Sequence, residues 1–105
     1  MPPIKIYKFG GASVRSAEGV ENLARIVAAE PARLLVIVSA MGKTTNALEE
    51  VLDRFMRNRS DKAIERFAEI ERYHRQIVRS LFADPSSVEA RTEKLASEVR
   101  ELLRS

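Results

Sequence analysis

The stretch "RLLVIV" (residues 33–38) limits the fold more than any other part of this sequence. It is apolar without the alternation of a strand that has one wet face, so it reads as a strand covered on both faces, the pattern of a parallel sheet in an α/β protein. A parallel partner must arrive through a crossover, and one stands just upstream. "IKIYKF" (4–9) is short, β-branched and aromatic, and follows Pro2 and Pro3. Between the two runs the period turns helical from Ser16: Val20, Leu23, Ala24 and Val27 fall at i, i+3, i+4 and i+7, until Pro31. Strand, helix and strand make a right-handed βαβ unit.

Downstream of "SAMGKTTN" the helical period returns, with Leu48, Val51, Leu52 and Phe55 on one face and Asn46 and Glu49 spaced as a capping box. Two further seams follow, Phe67, Ile70, His74, Ile77 and Leu81, then Val88, Thr92, Leu95, Val99 and Leu102. They are separated by "ADPSS" (83–87), where Ser86 or Ser87 is available as an N-cap. The expected organisation is therefore β-α-β-α over residues 1–58 and an antiparallel helical hairpin over 59–105. The expected class is α/β, a partial αβα sandwich with a mainly parallel sheet, followed by that hairpin. Two parallel strands are few for a stable open sheet, so the chain reads as the N-terminal part of something longer.

Composition removes several functional classes. The 105 residues carry 18 Lys and Arg against 15 Asp and Glu, a net charge of +3. The charges are interleaved along helix faces, with no basic block of the kind a nucleic-acid binder presents. Cysteine is absent, which excludes disulfides and thiolate metal sites and fits a reducing cytoplasm. The apolar run "LLVIVSAM" is too short to span a bilayer. A lone histidine without metal-spaced companions gives no metal site, and on its apolar seam His74 reads as a packed, hydrogen-bonded side chain.

Chemistry-bearing residues gather where both strands end, the place where open α/β sheets bind ligands. The first end supplies Lys8, Gly10, Gly11 and Ser13. An ammonium beside two glycine amides that an anion can approach closely, at positions tolerant of φ > 0, suits a phosphate. The second end supplies Ser39, Lys43, Thr44 and Thr45 at a helix start, where anions are also favoured. Each piece also has a plainer reading: a glycine pair is often only a turn, and Thr44 and Thr45 could be helix caps. "GKTT" is not a nucleotide P-loop, because Ile37 stands where that motif needs its first glycine.

Together, "KFGGAS" after the first strand and "VSAMGKTTN" after the second closely resemble the two N-terminal motifs of aspartate kinases, in the amino-acid kinase family. The resemblance is specific over roughly residues 4–55. It implies a kinase using ATP with Mg2+ to phosphorylate the β-carboxylate of L-aspartate, the opening step towards lysine, threonine and methionine. Carried over by position, it implies Lys8 as the catalytic cation and Lys8, Phe9, Gly10, Gly11 and Ser13 around the nucleotide phosphates. It implies Ser39 and Thr45 at the substrate. Ala12 stands where the family usually has threonine. The family's adenine and ribose contacts lie in later sequence, so this chain alone is expected to be inactive. The expected partners are ATP, L-aspartate and further copies of the chain, with neither nucleic acid nor membrane. Two alternatives remain, a non-catalytic helical self-association module using residues 62–104 and another acid kinase of the same superfamily.

Overall fold

The computed structural model describes residues 3–105. Along the chain run β1 (Ile4–Phe9), a 3-10 turn (Gly11–Val14), α1 (Ala17–Ala29), β2 (Arg33–Val38), α2 (Thr44–Met56), α3 (Ser60–Leu81) and α4 (Ser86–Arg104). The class is α/β, as the apolar run and its crossover require. Two compact units divide between Lys43 and Thr44, so α2 belongs with the two later helices.

In the strand unit, β1 and β2 pair in parallel, in register from Ile4 opposite Arg33 to Phe9 opposite Val38. Side chains alternate across a strand, so Tyr7 and Phe9 share a face with Leu34 and Val36, and these four are half-buried. Glu30, just past α1, reaches this face. Its carboxylate accepts from the Tyr7 hydroxyl at 2.6 Å and the Lys5 ammonium at 3.2 Å, while its other oxygen accepts from the Ala32 N–H. The opposite face carries Ile4, Ile6, Leu35 and Ile37, which are 55, 64, 52 and 47% exposed. The cover that the non-alternating run predicts for both faces is thus present on one. Helix α1 begins as expected at Ser16, whose hydroxyl accepts from the Gly19 N–H, and ends at Glu30 before Pro31.

The helical unit buries Ala47, Val51, Ala63, Phe67, Ile70, Ala96 and Leu103, with Phe55, Ile64 and Val99 packed against them. Helices α3 and α4 run antiparallel, shown by the ion pairs that climb between them: Arg79 with Glu89, Arg75 with Glu93, and Arg100 with Glu71. His74 is half-buried, and its Nδ1–H donates to the Ile70 carbonyl at 2.8 Å.

Four local expectations need correction. Helix α2 starts at Thr44, which places Asn46 inside it and not at a cap. Its inward line is buried Ala47 and Val51 with half-buried Phe55, and Leu48 and Leu52 are exposed. At α4 the cap position is Pro85, and the work assigned to Ser86 or Ser87 is done by Asp84. The Asp84 carboxylate accepts from both the hydroxyl and the N–H of Ser86, which holds its pKa below the usual carboxylate range. The α4 seam keeps Val99 against the core but takes Ala96 and Leu103 in place of Leu95 and Leu102, which are 66 and 68% exposed. A small alanine lets two helices approach closely, and Ala63 and Ala96 both lie in this core.

Candidate functional site

Strand β1 delivers Lys8 on its open face and Phe9 on its covered face. Lys8 is exposed and, among the described residues, has no carboxylate partner, in contrast to Lys5. Phe9 packs edge-on to Tyr7, with ring centroids 6.4 Å apart, so its contribution beyond the strand comes through its backbone. Gly10 is extended (φ −79°, ψ 172°), and the Ser13 N–H returns to its carbonyl at 3.0 Å, closing the turn. The N–H groups of Gly11 and Ala12 precede that first bond, so the turn itself offers them no acceptor. Val14 closes the segment with a side chain only 2% exposed.

The second loop, residues 39–43, lies directly against the first. The Ser39 N–H donates to the Phe9 carbonyl at 2.9 Å, which continues the sheet ladder by one bond. Beyond it, the Gly42 N–H donates to the Gly11 carbonyl at 3.1 Å. Gly42 has φ 56°, a left-handed conformation that glycine adopts without penalty and that turns the chain towards α2. Ser39 and Lys43 are exposed.

The paired glycines after β1 turn out to differ. A Cβ on Gly11 would lie 2.5 Å from the Gly42 carbonyl oxygen and 3.3 Å from that of Ala40, so its missing side chain is what lets the two loops touch. A Cβ on Gly10 would meet nothing within 4 Å. Neither uses positive φ; among the described glycines that belongs to Gly42. Gly10 is thus bare although nothing among the described residues requires it.

The structure brings together Lys8, Phe9, Gly10, Gly11, Ser13 and Ser39 in the strand unit. Thr45 is exposed in the first turn of α2, in the helical unit. Among the described residues no group of three or more His, Cys, Asp or Glu could hold a metal ion. Three residues around these loops escape the sequence reading. Gly42 was legible only as part of a motif. Gly19 carries a signal, since a glycine inside an amphipathic helix asks for a reason. Glu30 offers none, because its partners lie 23 and 25 residues upstream. The hydrogen bond from Tyr7 chiefly holds the Glu30 carboxyl below its ordinary pKa, and the same bond raises that of the Tyr7 phenol.

The profile of the amino acid kinase family matches residues 3–103. The chain belongs to the amino acid kinase family. Among curated relatives, it is 39% identical over 95 residues to Aspartokinase 1, chloroplastic, of Arabidopsis thaliana, covering 86% of this chain and 16% of the relative. It is 48% identical over 44 residues to Aspartokinase 2, chloroplastic, of the same plant (41% of this chain, 8% of the relative). It is 33% identical over 79 residues to the Bifunctional aspartokinase/homoserine dehydrogenase 1, chloroplastic, of Zea mays (74% and 8%). The likeness to aspartate kinases carried by the two motifs is thereby met, for a chain spanning about a sixth or less of each relative's length.

Proposed function

We propose that this family member supplies the phosphate-holding corner of an aspartate kinase, which moves the γ-phosphoryl group of ATP to the β-carboxylate of L-aspartate. The observation that carries this reading is the contrast at the glycine pair. Gly11 is consumed by the contact between loops, while Gly10 beside it faces open space at the end of β1, two positions after Lys8.

In the proposed mechanism the N–H groups of Gly11 and Ala12 hold the transferring phosphoryl oxygens, and the missing Cβ of Gly10 lets them approach. Lys8 compensates negative charge as the bond from the γ-phosphorus to the bridging oxygen breaks and ADP leaves. Ser39 orients the aspartate carboxylate, whose oxygen forms the new bond to phosphorus, and Thr45 is assigned to the same substrate on its motif alone. The product is an acyl phosphate, so the protein needs no nucleophilic side chain. Such transfer depends mainly on positioning and charge stabilisation. Among the described residues no carboxylate cluster is offered to a metal ion, and Mg2+ is assigned as the cation that nucleotide phosphates carry. The cysteine-free composition supports a cytoplasmic, reducing setting.

The self-association module keeps one observation in its favour, because α3 buries Phe67, Ile70 and Ile77 of its stripe while α4 leaves Leu95 and Leu102 exposed. We further propose that the 105-residue chain does not turn over alone, since its sheet has one apolar face open to water. A coupled ADP-release assay on the purified chain is expected to read zero. Turnover that disappears in Lys8→Ala would overturn the inactivity. In a full-length aspartokinase carrying this segment, Lys8→Ala is expected to abolish turnover without moving the melting temperature. An active variant would remove Lys8 from the mechanism.

A further inference from the structure

Gly19 lies in the first turn of α1, where glycine weakens a helix relative to alanine. Its φ is not positive, so its conformation does not explain it. Its surroundings do. A Cβ on Gly19 would fall on the Ser13 carbonyl oxygen, closer than real contacts allow, and 3.2 Å from the Ser13 carbonyl carbon. The 3-10 turn is therefore seated on α1 at Gly19 and on the second loop at Gly11, and at both places the seat exists because a Cβ is missing. Of Gly10, Gly11 and Gly19, Gly10 is the one left open among the described residues.

We propose that Gly19 is a positioning residue for the phosphate turn: by admitting the Ser13 carbonyl it fixes how the turn sits, and so where the Gly11 and Ala12 N–H groups point. This rests on reading residues 10–13 as the phosphate site. The cap reinforces the seat, because the Gly19 N–H is held by the Ser16 hydroxyl at 3.2 Å, which leaves the first turn of α1 little freedom to retreat from Ser13. A Cβ at this position must displace the turn, and small displacements of donors are costly wherever alignment matters.

The test compares the wild-type chain with Gly19→Ala, using thermal melting of the strand unit and titration with inorganic tripolyphosphate, followed through the Gly10, Gly11 and Ala12 amide signals. If Gly19 were only a helix residue, alanine would raise the melting temperature. The proposal expects the reverse, a lower melting temperature together with binding weakened about tenfold. An unchanged or higher melting temperature overturns it, and so does a lower one with binding intact. Wild-type amides that ignore tripolyphosphate overturn the phosphate reading itself, while the direction of the melting shift separately judges the seat. Should Gly19→Ala not fold, amide exchange on the wild type decides. The Ser13 N–H, bonded to the Gly10 carbonyl, is expected to be as protected as the Val20 N–H that opens α1; exchange at the rate of an unstructured peptide overturns the proposal.

Discussion

Alanine at position 11 puts a methyl group 2.5 Å from the Gly42 carbonyl oxygen and 3.3 Å from that of Ala40. Ordinary contact begins near 3.4 Å, so the backbone of one loop must yield by roughly 0.9 Å, and neither contact is the tip of a side chain that can swing away. Overpacking of this kind costs about 1–3 kcal/mol. The displaced atoms belong to the residue whose N–H donates to the Gly11 carbonyl, so that bond is strained as well. Alanine at position 10 meets nothing, and φ −79° with ψ 172° is ordinary for it, so it should be neutral or stabilising by about 0.4–1 kcal/mol. Amide exchange at Ser39, whose N–H bonds to Phe9 inside the strand unit, reads the difference without interference from the helices. A loss of about 2 kcal/mol accelerates that exchange about 30-fold in Gly11→Ala, and Gly10→Ala should leave it unchanged or slower. If phosphate binding is as proposed, Gly10→Ala nonetheless loses the response to tripolyphosphate. Equal exchange in the two variants would refute the assignment of separate tasks to the two glycines.

Other expectations follow from the same geometry. Glu30 has a lowered folded pKa, so its stabilising contribution is present above about pH 4.3 and is lost as pH falls through the lower folded value. Tyr7 has a raised one, so its contribution is present below about pH 10 and fades as pH rises through the folded value. Melting of the strand unit against pH should show both limbs, with Glu30→Gln flattening the acid one; an unaltered acid limb would show that Glu30 does not hold α1 to β1. In the helical unit, Leu103→Ala should cost about 2–5 kcal/mol in denaturant unfolding, whereas Leu95→Asp should stay within about 0.5 kcal/mol. The opposite order would restore the seam read from the sequence. Phe67→Ala should cost about 3–5 kcal/mol by the same measurement, and a loss below 1 kcal/mol would mean that this core is not closed around it.

The strands, their parallel pairing and the start of α1 were legible because each rests on a local signal: an unbroken apolar run, a helical period, a serine cap. The nearness of the two loops was legible as well, since parallel neighbours bring their ends to one side. The α4 seam was not. Leu95 with Leu102 and Ala96 with Leu103 both keep a seven-residue spacing, and sequence favours the larger side chains. Close helix approach selects the smaller one, and that depends on a neighbour periodicity cannot see. The cap at α4 was missed for a related reason, because Asp84 lies two residues ahead of the helix and acts through Ser86. At the candidate site the sequence displayed both glycines but could not distinguish them, since the atoms that separate their roles belong to Ala40 and Gly42, some thirty residues away.

The bond from Ser39 to Phe9 and the bond from Gly42 to Gly11 have a mechanical corollary. One residue, Gly10, lies between the latch points on the first loop and two, Ala40 and Met41, on the second, so the loops mesh like teeth of fixed pitch. A single residue inserted between Ala40 and Gly42 would leave the first tooth engaged and throw the second out of step. Engineering of either loop therefore has to treat the pair as one part, with both spacings held as they are.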